Sequence, residues 1–141
     1  MKIIRTTHYE PLQLHNEQEK QISSPERIQK ALQLDDCLGF YLYEKESTNI
    51  GFALLRKFDE KQFFLWNFLI DCRYQGCGKG KEFLGMLIDM LRKDYCAEVI
   101  ATTYLYGNEV AKRLYESFSF VQVDIVDENG VHEVNMELLC R

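Results

Sequence analysis

Arg73-Tyr74-Gln75-Gly76-Cys77-Gly78-Lys79-Gly80-Lys81 stands between an aromatic and branched run, Phe63 to Ile70, and a stretch from Lys79 to Lys93 in which Leu84, Leu87, Ile88 and Leu91 recur at helical spacing. It is a turn from a strand into a helix. Glycines at 76, 78 and 80 let the backbone take turn conformations and let a ligand approach closely. Backbone N–H groups at the start of the helix point outward together, and the helix dipole adds partial positive charge, so such a turn is a ready anion site, for phosphate above all. Arg73, Lys79 and Lys81 give the segment a charge of +3 with no acid; the 141-residue chain carries −5 in all, leaving −8 for the rest. Positive charge is concentrated where a phosphate would sit.

Two common phosphate motifs do not fit. A Walker A loop ends in Gly-Lys-Ser/Thr, whereas Gly80-Lys81 is followed by Glu82 and the earlier glycine position is Gln75. A dinucleotide fingerprint starting at Gly76 and Gly78 needs a third glycine where Lys81 stands. What remains is Gln-x-x-Gly-x-Gly, carried by Gln75, Gly78 and Gly80.

Working outward, Phe40 to Glu44, Ile50 to Lys57 and Phe63 to Ile70 are joined by short polar turns at Glu46–Asn49 and Asp59–Glu60, the pattern of an antiparallel meander. Met1 to Arg5 reads as a short first strand. Leu12 to Gln21 and Pro25 to Leu34 read as helices, the second capped by Ser24 with Pro25 in its first turn. After the glycine turn and its helix come a strand at Glu98–Thr103 and a second amphipathic helix at Asn108–Phe118, with Val110, Ala111, Leu114, Tyr115 and Phe118 inward. A strand at Phe120–Val126 then turns at Asp127–Gly130 into a closing strand at Val131–Leu139. Strand, helix, strand in mid-chain implies a parallel pair grafted onto an antiparallel sheet. The fold class is α+β, expected as one domain over residues 1–141.

Composition narrows the function. A net acidic chain lacks the basic stripe of a nucleic-acid binder, so no nucleic-acid partner is expected. Five scattered cysteines make no disulfide framework and imply a reducing, cytoplasmic setting. No apolar run reaches membrane-spanning or signal-peptide length, so no membrane partner is expected. Only Cys72 and Cys77 lie near one another, so no metal site is expected.

The Gln-x-x-Gly-x-Gly turn, following a strand and opening a helix, resembles the acyl-coenzyme A signature of the GNAT superfamily of N-acetyltransferases. Asn108, Ala111, Leu114, Tyr115 and Phe120 resemble that family's next motif, a helix carrying Asn, Ala and Leu-Tyr followed by Gly-Phe. The resemblance runs from about Gly39 to Leu139, and Phe68-Leu-Ile-Asp71 leading into Arg-Tyr-Gln-Gly76 is similar to small diamine and polyamine acetyltransferases. It implies a mixed, mostly antiparallel sheet of about six or seven strands flanked by about four helices, with acetyl-CoA as cosubstrate. It further implies a small primary amine as acceptor, direct attack in a ternary complex, and pairing into a homodimer, for which the strand-rich C-terminus would supply an edge.

Carried over by position, the resemblance assigns Phe68, Leu69 and Ile70, at the splayed end of the fourth strand, backbone hydrogen bonds to the pantetheine arm. Gln75, Gly76, Cys77, Gly78, Lys79 and Gly80 would take the pyrophosphate, Asn108 would contact the cofactor arm, and Tyr115 would set its hydroxyl by the thioester sulfur. Taken without that resemblance, Asn108 reads as a helix cap, Tyr115 as core and Cys77 as filler. Where the family has Gly before the final Phe, this chain has Ser119, at a position that normally needs a permissive backbone.

Amine acetylation needs the neutral amine, and deprotonating an alkylammonium of pKa ~10.4 costs roughly 4 kcal/mol at pH 7. Polyamine-like relatives tend to carry an acid just before the splayed segment, but here those places are Trp66 and Asn67, neither of them a base. Asp71, Asp59, Glu60 or an acid of the first two helices would have to act through water. Two other readings stand beside an amine acetyltransferase: a non-catalytic acyl-CoA sensor, and a protein lysine or N-terminal acetyltransferase.

Overall fold

The computed structural model describes residues 1–19, 22–45 and 47–140. Seven strands form one sheet: β1 (Lys2–Thr6), β2 (Cys37–Lys45), β3 (Thr48–Asp59), β4 (Gln62–Ile70), β5 (Val99–Leu105), β6 (Val121–Glu128) and β7 (Val131–Leu139), in the order β1-β2-β3-β4-β5-β7-β6. Every neighbouring pair is antiparallel except β4 and β5. That parallel pair is connected through α3 (Lys79–Asp94), as the strand-helix-strand pattern requires. The other α-helices among the described residues are α1 (Asn16–Glu19), α2 (Pro25–Ala31) and α4 (Glu109–Ser117), and a 3-10 turn spans Cys72–Tyr74.

Both faces of the sheet are packed. On one, Phe83, Leu84, Leu87, Ile88 and Leu91 of α3 and Tyr115 of α4 meet Phe40, Leu42, Phe63, Leu65, Ile100 and Met136. On the other, Ile28, Ala31 and Leu32 of the α2 segment meet Tyr41, Phe52, Leu54 and Leu69. Each large apolar side chain so buried contributes about 1.5–3 kcal/mol, which is why the one-sided stripe of α3 and the alternation of β4 decide the architecture. Ser24 caps α2 by accepting from the Arg27 amide at 3.3 Å, with Pro25 at its start.

Three expectations change. The helix expected over Leu12–Gln21 is a single turn at Asn16–Glu19, its expected end at Gln21 lying outside the described residues. Residues before that turn are claimed by tertiary contacts: the Gln13 amide donates to Asp71 Oδ2 at 3.2 Å, and the Gln13 carbonyl accepts from the Cys72 amide at 2.7 Å. Backbone groups tied across the molecule in this way cannot close a helical ladder. The second helix stops at Ala31 rather than Leu34. Val110, in the first turn of α4, is 82% exposed, not inward, and lies at the rim of the cleft described below.

The closing hairpin turns on Asn129 (φ 52°) and Gly130 (φ 77°), the two-residue pattern that suits the twist of paired strands. β6 is the outer edge, with all eight of its residues exposed.

Candidate active site

The parallel pairing of β4 with β5 ends early. It runs from Gln62 opposite Val99 to Leu65 opposite Thr102, whereas β4 stays paired with β3 as far as Ile70 opposite Gly51. Residues 66–70 therefore have a strand partner on one side only, and β4 and β5 form a fork that opens beyond Leu65 and Thr102. The divergence coincides with a bulge: Leu65 faces Leu55 and Asn67 faces Leu54, leaving Trp66 as an extra residue in β4. A bulge bends and twists its strand away from the regular ladder. It also turns the strand over, so that Trp66 packs toward α2 and the adjacent Asn67 accepts from the Ser23 amide at 2.8 Å just before that helix.

A cleft of about 680 Å³ fills the fork. Among its lining residues are Phe68, Leu69, Ile70, Gln75, Gly76, Gly78, Lys79, Gly80, Asn108 and Tyr115, which the sequence places in widely separated segments. Phe68 stacks on Phe83 of α3 with ring centroids 5.0 Å apart, fixing the free stretch of β4 against the helix. At the wide end of the cleft, Gly76 and Gly78 both have φ +80°, and Gly78 is the residue from which α3 starts. A side chain added at either would meet nothing within 4 Å, so these glycines serve backbone conformation and leave open space above the helix N-terminus.

Two side chains of this turn have other duties. Gln75 Nε2 donates to the Ile70 carbonyl at 2.9 Å, and Gln18 Nε2 donates to the same carbonyl at 3.1 Å, so Gln75 secures the end of β4. Cys77 turns its thiol to the Tyr74 carbonyl at 3.1 Å and does not line the cleft. Lys79 lies 3.8 Å from Glu44 and, with Lys81, keeps positive charge at the helix N-terminus, against the dipole of α3.

At the closed end stands Tyr115. It is buried, and its ring contacts Tyr104 and Phe120 at centroid distances of 6.5 and 5.4 Å. Burial pushes its phenol above the usual tyrosine range, while a hydrogen bond with Thr102 pulls the other way. Thr102 Oγ1 in turn donates to the Leu65 carbonyl at 3.2 Å, linking Tyr115 to the last paired residues of the fork. No motif pointed to Thr102. Asn108 accepts from the Ala111 amide at 3.2 Å, capping α4 while it lines the cleft.

Ser119 has φ +72°, the left-handed conformation in which glycine is at ease, so the turn after α4 keeps its shape without the glycine. Of the carboxylates that sequence left open as bases, Asp71 is fully buried and committed. Its Oδ1 accepts from the Arg73 amide (3.0 Å) and Nε (2.9 Å), and its Oδ2 from Arg73 Nη2 (2.9 Å) and the Gln13 amide. These bonds hold its pKa down at about 2. Asp59 and Glu60 lie at the turn into β4, at the opposite end of that strand from the fork. Among the described residues no group of three or more His, Cys, Asp or Glu side chains is arranged to hold a metal ion, and no helix is long and apolar enough to cross a membrane.

Residues 4–120 match the family model described as the Acetyltransferase (GNAT) family. A curated relative, the spermine/spermidine N(1)-acetyltransferase of Bacillus subtilis, is 36% identical over 100 residues, covering 66% of this chain and 66% of its own length, just under two thirds. Among solved structures, a GNAT family acetyltransferase from Elizabethkingia anophelis with acetyl-CoA bound superposes with a TM-score of 0.75 at 18% identity, over 99% of this chain and 97% of that one. The ribosomal-protein-S18-alanine N-acetyltransferase of Escherichia coli superposes at 0.73 with 21% identity, over 98% and 94%. With its forked β4–β5 pair, its glycine turn at the mouth of that fork and its matched family model, this chain belongs to the GNAT acetyltransferase family.

Proposed function

We propose that this chain is an acetyl-CoA-dependent N-acetyltransferase whose acceptor is a small diamine or polyamine-like molecule. The observation that carries the reading is the fork itself: one cleft joins a glycine-rich helix N-terminus, a stretch of strand backbone paired on one side only and the buried Tyr115. These suit, in order, the phosphates, the amide-bearing arm and the thioester of acetyl-CoA. The polyamine acceptor is supported by the name of the Bacillus subtilis relative.

In this reading, backbone N–H groups of residues 75–80 with Lys79 and Lys81 bind the pyrophosphate. Backbone groups of Phe68, Leu69 and Ile70 bind the pantetheine amides, and Asn108 contacts the arm. The neutral amine attacks the thioester carbonyl in a ternary complex; a C–N bond forms, the C–S bond breaks, and the surplus proton leaves the nitrogen through water. The departing thiolate has a pKa near ~8.5, and the Tyr115 phenol stands above ~10. Full proton transfer from Tyr115 is therefore uphill by more than about 2 kcal/mol, and Tyr115 acts as a hydrogen-bond donor to the thiolate.

Screening acetyl-CoA consumption against diamines, monoamines, aminoglycosides and peptides tests the reading; acceptance of small amines supports it. Tight CoA binding without turnover would replace it with an acyl-CoA sensor, the reading favoured by Trp66 and Asn67 where relatives tend to carry an acid. Five unpaired cysteines support a reducing compartment, and the exposed edge strand β6 supports a homodimer, which sedimentation would test.

A further inference from the structure

We infer that Glu133 is the specificity-determining residue for the acceptor, anchoring a second ammonium of a diamine or polyamine while the first reacts at the fork. This rests on the amine-acetyltransferase reading above and deepens it.

Among the described residues, Glu133 is the only carboxylate that lines the cleft. The two lysines there, Lys79 and Lys81, belong to the glycine turn, so the cleft is charged positively at one end and negatively at another. The negative end lies on the face away from α3 and α4. Val134, Met136 and Leu138 of β7 point into the core with Tyr115, so by alternation Glu133 points to the opposite face, the face on which Trp66 packs toward α2. Register puts Glu133 beside Leu105, the last residue of β5, and so beyond the fork at Thr102. Leu105 lies three residue rises along β5 from Thr102, about 10 Å at about 3.3 Å per residue. That offset along β5 sets Glu133 toward the open side of the fork, suited to a charge farther along the acceptor than the nitrogen that reacts near Tyr115.

Its neighbours leave Glu133 available. Thr103 on the same face gives its hydroxyl to the Val134 carbonyl at 3.1 Å. Asn135, the next outward residue of β7, donates to Asp124 at 2.6 Å, and His132 pairs with Asp127 at 3.0 Å. Glu133 enters none of the ion pairs among the described residues, which join Arg56 to Asp36, Lys61 to Glu98, Arg73 to Asp71, Lys79 to Glu44 and His132 to Asp127. A half-buried carboxylate at the lip of a cleft, with the lysines of that cleft gathered at its glycine turn, attracts an alkylammonium more strongly than one on an open surface.

The test compares butane-1,4-diamine with butylamine, acceptors that share the reacting amine and differ in the second charge, for the wild type and Glu133→Gln. The wild type is expected to prefer the diamine. In Glu133→Gln the diamine KM rises about tenfold, the loss of one charged hydrogen bond, with kcat within twofold and with the KM for butylamine and for acetyl-CoA unchanged. Glu133→Asp restores part of the diamine preference. An equal change for both amines, a fall in kcat at fixed KM, an unchanged diamine KM, or a wild type without preference overturns the assignment. Unchanged acetyl-CoA affinity in the variant rules out a misfolded cleft. If the wild type acetylates neither amine, the small-amine acceptor reading on which this assignment rests falls, a result distinct from any of these.

Discussion

Replacing Asp71 with Asn would loosen the corner that holds the glycine turn against residues before α1. Asp71 keeps its carboxylate with a pKa of about 2 against an ordinary 3.8, chiefly through the side-chain bonds of Arg73. At ~1.4 kcal/mol per pKa unit this difference corresponds to roughly 2.4 kcal/mol. Arg73 is 59% exposed, so solvent screens the pair and about 1 kcal/mol is the better value for the charge alone. Asn offers one acceptor oxygen where Asp offers two, and each Asp71 oxygen accepts from two donors. Two donors consequently lose their partner, adding about 1 kcal/mol for a loss of about 2 kcal/mol in all. The sign with pH follows from the lowered pKa: the charge contribution is present above pH 3.8 and is lost as pH falls through about 2. Urea unfolding followed by the fluorescence of the single tryptophan, Trp66, measures it. The gap between wild type and Asp71→Asn should be about 2 kcal/mol at pH 7 and should narrow by half toward pH 2. A gap below about 0.5 kcal/mol at pH 7, or one that does not narrow, refutes the reasoning.

Other consequences concern the site and the turn after α4. Tyr115→Phe should lower kcat about 10- to 100-fold, the loss of a hydrogen bond to a charged leaving group, while acetyl-CoA affinity by calorimetry stays within twofold; unchanged turnover would remove Tyr115 from the reaction. Gly78→Val forces a β-branched residue to φ +80° at the start of α3 and should abolish acetyl-CoA binding, whereas retained affinity would detach the turn from the cofactor. Ser119→Gly relieves a left-handed serine and should stabilise the fold by about 1 kcal/mol, raising Tm by about 3 °C in a thermal melt. A lowered Tm would mean that the serine hydroxyl does more for the turn than the backbone costs.

The meander, the closing hairpin and the helix that crosses between β4 and β5 were legible because they follow from periodicity and turn composition: alternation in β4, a one-sided stripe in α3, Asn129-Gly130 at the hairpin. The glycine turn was legible because its conformation demands its composition. The segment at Leu12–His15 was not, since its backbone is held by Asp71 and Cys72, some 58 residues away in sequence, and local propensity carries no trace of such partners. Thr102 and Glu133 were hidden for the same reason. A threonine in a strand and a glutamate in an alternating hairpin read as ordinary surface chemistry until register sets one under Tyr115 and the other beside Leu105.

Between the pairs Leu55–Leu65 and Leu54–Asn67, β3 advances by one residue and β4 by two. Delete Trp66 and the count becomes equal: the two strands would run in step, Asn67 would follow Leu65 in plain alternation on the side of α2 where it already stands, and β4 would lose its reason to leave β5. Every residue assigned a chemical task would still be in the chain, and the cavity in which those tasks are done would have closed. The vacancy is thus specified by arithmetic, one position gained on one side of a ladder, and the side chains around its rim are free to change with the molecule they receive so long as that count is kept.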